Sequence, residues 1–219
     1  TMASAAVPPT LRTAASGREP SVRRFGFAVR RQWLGPVVIV FLTLVHWGVL
    51  STYLPARAER AGADIGLFFA ADGIAIVLSR VPTGWVADRV SWRLVVGCGL
   101  ALLLASLGLA ALPPTTPLLA LSGALNGAGA AIALTPNLVE LTRRSDDEDR
   151  GSALALYGAT LAGGLSVGSV AAAPIVAMAG FEGAVGLGLL GLVAAGTVLL
   201  LAERDRPMAS VEVAPIGPP

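Results

Sequence analysis

The sequence predicts an all-α membrane protein of six transmembrane helices. Three observations carry that expectation: apolar blocks of spanning length, a low charge content, and arginines confined to alternate connections. A span needs about 20 predominantly apolar residues, and the 219-residue chain offers six blocks of that order. Only 14% of its residues are charged, against about 25% in a soluble domain, and mean hydropathy is +0.72. Most of the chain therefore has lipid as its solvent.

Residues 1–34 are polar, Pro-containing and Arg-rich. They are expected to form a cytoplasmic loop or tail, disordered over 1–20, with 21–34 as a short interfacial helix whose arginines face headgroups. Thr1 precedes Met2. The chain is therefore expected to be a fragment or a processed product, unless Met2 is the real start; no signal-peptide pattern stands there. Residues 35–203 form the expected six-helix unit, and 204–219 a cytoplasmic tail.

The first span is Pro36–Leu54. The second, Ile65–Val86, follows Asp64 as N-cap. The third is Leu94–Leu112. The fourth, Pro117–Val139, has Thr116 as cap and proline at the first helical position. The fifth, Gly151–Ala179, follows Ser145-x-x-Glu148, a capping-box pattern, and Pro174 is expected to kink its outer end. The sixth is Gly183–Ala202. The short connection between the second and third spans makes them expected antiparallel neighbours.

Arginine placement sets the expected orientation. The chain has no lysine, and fourteen of its sixteen arginines fall on the side of the N-terminus if six spans are counted. Only Arg57 and Arg60 fall on the other side. By the positive-inside rule both ends are cytoplasmic, in a cell membrane. Net charge is only +2, so no nucleic-acid partner is expected. The single Cys98 and single His46 exclude disulfides within the chain and Cys- or His-rich metal sites. The acidic run Asp146–Asp149 reads as a solvated helix start before a cation site. No phosphate loop, zinc pattern or nucleophile–base arrangement is present, so neither a cofactor nor an enzyme is expected.

Polar groups within the spans are the candidate path for a solute or protons: His46, Asp72, Asn126 and Tyr157. A charged Asp mid-helix costs roughly 2.5–3.5 kcal/mol on insertion scales. Asp72 therefore binds a proton or a cationic substrate, or sits near the outer headgroups with Arg57, Arg60 or water. His46 joins a proton relay or hydrogen-bonds a neighbouring helix. Asn126 contacts substrate or glues helices, and Tyr157 reads as an interfacial aromatic. The pairs Gly123/Gly127 and Gly164/Gly168 read as helix-packing surfaces. An intramembrane enzyme would need a catalytic pair, and His46 with Asp72 is the candidate.

The run from Arg80 and Pro82 through Gly84-x-x-Ala87-Asp88-Arg89-x-x-x-Arg93 resembles the signature loop of the major facilitator superfamily, G-x-x-A-D-R-x-G-R-[KR]. Val90-Ser91-Trp92 departs from it by lacking the second glycine. Gly123-x-x-x-Gly127-x-Gly129 with Pro136, and Arg150-Gly151 through Tyr157, Gly164-x-x-x-Gly168 and Gly180-Phe181, are similar to the family's fourth and fifth helices. The resemblance covers about residues 34–202 and is nearest the C-terminal halves of its sugar-efflux and drug-efflux branches. The fourth helix lacks the arginine, and Ser169 replaces the proline, that mark N-terminal halves of the antiporter branch.

The resemblance implies one half of an alternating-access transporter moving a small solute outward, with proton coupling. Its partners are then the lipid bilayer, the solute and protons, and a missing N-terminal half or a second copy. It assigns Arg80, Gly84, Asp88, Arg89 and Arg93 to a conformational charge network. It also implies that the first, second, fourth and fifth helices line the path. The competing expectation is a truncated fragment or scaffold that transports nothing.

Overall fold

The computed structural model describes residues 30–202 apart from Asp88. A 3-10 turn at Arg31–Trp33 leads into five helices: α1 Leu34–Arg60, α2 Gly66–Ala87, α3 Trp92–Ala111, α4 Thr116–Arg143 and α5 Arg150–Leu201. All five are long and apolar enough to cross a membrane. The segment expected to be disordered, 1–20, and the expected cytoplasmic tail, 204–219, lie outside the described residues. So does most of the expected interfacial helix; its last residues form the 3-10 turn and the start of α1.

The expected fifth and sixth spans form one 52-residue element, α5. Its regularity breaks at Gly180, which has φ 69° and ψ −170°, in the gap expected between the two spans. A side chain would obstruct that left-handed torsion, which glycine adopts freely. The two limbs of α5 pack on α1 in opposite senses. In the first limb Gly164 meets Phe41 and Leu44, and Gly168 meets Val45, so numbers rise together. In the second limb Gly188 meets His46 and Gly191 meets Leu42, so one number rises as the other falls. The chain therefore reverses at Gly180, and α1 lies against both limbs.

The remaining pairs follow the same logic of close backbone approach. Along the α2–α4 seam Gly123 stands on Phe68 and Gly127 on Asp72, and a Cβ at either glycine would strike the opposing carbonyl oxygen. Helices α3 and α4 run antiparallel, with Gly99 on Ala133. There Ser106 Oγ donates to Ser122 O at 2.8 Å and Ser122 Oγ to Ser106 O at 2.9 Å. A core of Ile39, Leu50, Leu54, Leu103, Leu107 and Leu192 fills the space among α1, α3 and the second limb of α5.

Helices α2 and α3 are not the close neighbours expected, for α2 packs on α4 and meets α3 only sparsely. A short turn fixes the direction of return but not the contact. Between them lies an apolar groove of about 330 Å³, lined by Pro82, Val86, Leu94 and Cys98 among others.

Two expected caps are replaced. Thr115, not Thr116, is the N-cap of α4; the Thr116 hydroxyl accepts the Asp64 N–H at 3.0 Å. Ser145 forms no capping box, because its hydroxyl donates back to Leu141 O at 2.7 Å, and Asp149 is the N-cap residue of α5. Asp64 accepts the Gly66 N–H at 2.8 Å, which ties down the start of α2.

Candidate functional site

Three polar side chains from three helices meet inside the bundle. Asn126 on α4 donates through Nδ2 to Asp72 Oδ1 on α2 at 2.7 Å. Its Oδ1 faces His46 Nε2 on α1 at 3.1 Å. The other ring nitrogen of His46 is bonded to the Thr43 carbonyl one turn back. Asn126 and His46 are each 2% exposed and Asp72 6%, so these bonds form where water is scarce. Buried polar groups require such partners.

The glycine seams set this register. Gly127 brings the α4 backbone onto the Asp72 carbonyl, which places the adjacent Asn126 within reach of the Asp72 carboxylate. On the other side, Gly188 lets the second limb of α5 approach His46 closely.

The chain of bonds borders a cavity of about 160 Å³. Thr43, Leu44, His46 and Trp47 line it from α1, Asp72 and Ile76 from α2, and Asn126, Ala130 and Leu134 from α4. No α5 residue lines it, although that helix was expected on the path. Trp47 stacks on Phe68 and meets Phe69 edge-on, so one wall is aromatic. Most ligand sites have this make-up, an apolar lining with a few oriented polar groups.

Of the four path candidates, three converge and one does not. Tyr157 is buried, with its hydroxyl donating to Leu134 O at 3.0 Å. It packs with Trp33, Val40 and Leu141 and does not line the cavity. Burial replaces the interfacial setting expected for it. Asp72 pairs with neither Arg57 nor Arg60. Arg57 is held elsewhere, by Ala110 O at 2.7 Å, Ala111 O at 3.0 Å and Glu182 at 2.8 Å, with its guanidinium 4.8 Å from the Phe181 ring centre. His46 and Asp72 do not touch directly, since Asn126 stands between them. Thr43 is the hydroxyl in the cavity wall, and it donates to Ile39 O at 2.7 Å.

The described members of the expected conformational charge network make other contacts. Arg93 donates to the carbonyls of Leu199, Leu200 and Ala202, where the final turn of α5 has no intrahelical donors left. Arg89 lies over the Trp85 ring at 3.8 Å. Arg80 and Gly84 are exposed, and Asp88 lies outside the described residues. The ion pairs form at another corner. Arg30 pairs with Asp146 at 2.8 Å and with Asp149, and Arg144 with Glu140 at 2.7 Å. There Trp33 Nε1 also donates to Arg144 O at 3.3 Å. Arg30 and Trp33 gave no sequence signal for this role, because their partners are more than 100 positions away.

Residues 36–217 match the family model of the Major Facilitator Superfamily. The chain belongs to the major facilitator superfamily. Compared with curated proteins one by one, it matches none of them. Members of the superfamily are transporters and not enzymes. With five helices apolar enough to span, the chain is a multi-pass membrane protein of a transporter family.

Proposed function

We propose that this chain is one six-span half of a twelve-helix exporter of the major facilitator superfamily. Both ends lie in the cytoplasm, in the cell membrane. A missing N-terminal half or a second copy supplies the other wall of the path. The pair moves a small solute outward by alternating access, driven by protons.

The observation that carries this reading is the hydrogen-bonded line Asp72–Asn126–His46 beside a cavity among α1, α2 and α4. Ionisable groups are costly in a membrane interior, and they commonly mark substrate or proton routes. The reversal of α5 at Gly180 supports two spans there. The count is then six, and every arginine except Arg57 and Arg60 falls on one side. The signature-like turn 84–93 supports a six-span half, and the missing antiporter marks support the C-terminal one.

The test uses the complete coding unit, reconstituted in vesicles with a trapped pH dye and challenged with a panel of small solutes. At least one solute is expected to drive proton movement across the membrane. Asp72→Asn is expected to abolish that movement while leaving membrane insertion intact. Solute flux with no proton movement would remove the coupling. Reporter fusions that placed residues 89 and 143 on opposite faces would remove the topology.

A further inference from the structure

The donors and acceptors around Asn126 do not balance unless a proton is present. The Thr43 carbonyl only accepts, so His46 Nδ1 bonded to it carries a hydrogen. Asn126 then faces His46 Nε2 with one end of its amide and Asp72 Oδ1 with the other. With oxygen toward the ring, Nε2 must also carry a hydrogen, so His46 is a cation and Asp72 accepts as a carboxylate. With the amide turned over, NH₂ donates to a bare Nε2, and Asp72 must be protonated to donate to the amide oxygen. Each arrangement holds one proton more than a neutral ring beside an ionised carboxylate.

We infer that His46, Asn126 and Asp72 form a single proton-binding site, in which one proton resides on the ring or on the carboxyl according to how the amide is turned. Both one-proton forms are neutral overall. Without the proton, either amide orientation sets two acceptors against each other. With a second proton, a net positive charge is buried without a counter-ion, which is costly. The two groups therefore titrate as one unit. No other titratable side chain lines the cavity. The neighbours packed on α1 at this level are Leu107 of α3 and Gly188 of α5, which bring no charge.

Proton loss acts mainly on one contact. Helices α2 and α4 are locked through Gly123 and Gly127, whereas α1 meets α4 sparsely. The repulsion is relieved where the packing is weaker, so His46 and its helix draw away from Asn126 and the cavity widens. The inference deepens the proton-coupling reading, but it concerns the resting protein and requires no solute.

His46 is the chain's single histidine, so ¹⁵N-histidine labelling of the intact protein in lipid bilayers reports on this ring if the label is placed in a variant of the complete chain with any other histidines removed. Infrared difference spectra against Asp72→Asn report the carboxyl. At about neutral pH two results support the site: a doubly protonated ring with a carboxylate, or a bare ring nitrogen with a protonated carboxyl. In alkali the proton is lost in one step, and a spin-label distance from α1 to α4 lengthens. In Asp72→Asn the ring is expected to stay neutral over about pH 6–8, because the amide is free to donate to it. Three results would overturn the inference: a neutral ring beside a carboxylate with the α1–α4 distance unchanged, a protonated ring together with a protonated carboxyl near neutrality, or separate titrations of the two groups. Solute flux plays no part in these readouts, so a failed transport assay leaves them intact.

Discussion

Asn126 stands where two unlike helix contacts meet. On one side α4 lies on α2, backbone against backbone, through Gly123 and Gly127. On the other side α4 faces α1 across a cavity, bridged by the Asn126–His46 contact. The first contact is held by shape and leaves no room for adjustment. The second is held by a polar bridge whose sign depends on a proton. A membrane bundle that must change shape needs both kinds, since hydrocarbon provides no hydrophobic drive to close a seam that lacks fit.

Substitutions can set the two contacts apart. The largest effect is expected from Gly127→Leu, which forces a side chain into the Asp72 backbone. Overpacking usually costs about 1–3 kcal/mol, and a rigid carbonyl as the obstacle puts this variant at or above the upper end. Denaturant titration in micelles should show it, with loss of the folded helix bundle. Asn126→Leu comes next. It strips the partner from Asp72, at about 1–3 kcal/mol for a buried group left unsatisfied, while His46 keeps its bond to the Thr43 carbonyl and the glycine seam stays in place. Proton movement should stop while a spin-label distance between the exposed positions 67 on α2 and 121 on α4 stays unchanged.

Smaller still is Ser106→Ala, which removes one side of the reciprocal Ser106–Ser122 clasp. Interhelical hydrogen bonds in membranes average about 0.6 kcal/mol, so a slight fall in unfolding midpoint and full proton movement are expected. If Ser106→Ala destabilised more than Gly127→Leu, polar bonding rather than close fit would hold the dry seams, and the contrast drawn at Asn126 would fail.

The spans were readable from the sequence because apolar length is a local property, and α1 to α4 begin and end within a few residues of the blocks seen there, except that α1 runs on through Pro55 to Arg60. The glycine spacings at 123/127 and 164/168 were also visible, being repeats along one helix face. The meeting of His46, Asp72 and Asn126 was not visible. They lie 54 and 80 positions apart in bonded pairs, and their register is set by which glycine meets which carbonyl. The break at Gly180, by contrast, was visible, since it falls in the gap between the fifth and sixth apolar blocks. Arg93 resembled a member of a charge cluster, but among the described residues it is the bare carbonyls ending α5 that accept from it.

The hairpin at Gly180 has a consequence for biogenesis. Helix α1 has one limb of α5 on each flank, so the earliest described span to leave the ribosome acquires its final neighbour only when the latest has been synthesised. Until then the flank carrying Leu42 and His46 must be shielded by lipid or by the insertion machinery. Ribosome stalling just short of residue 180 should therefore yield a nascent chain whose His46 region is open to cross-linking, and release through residue 202 should close it.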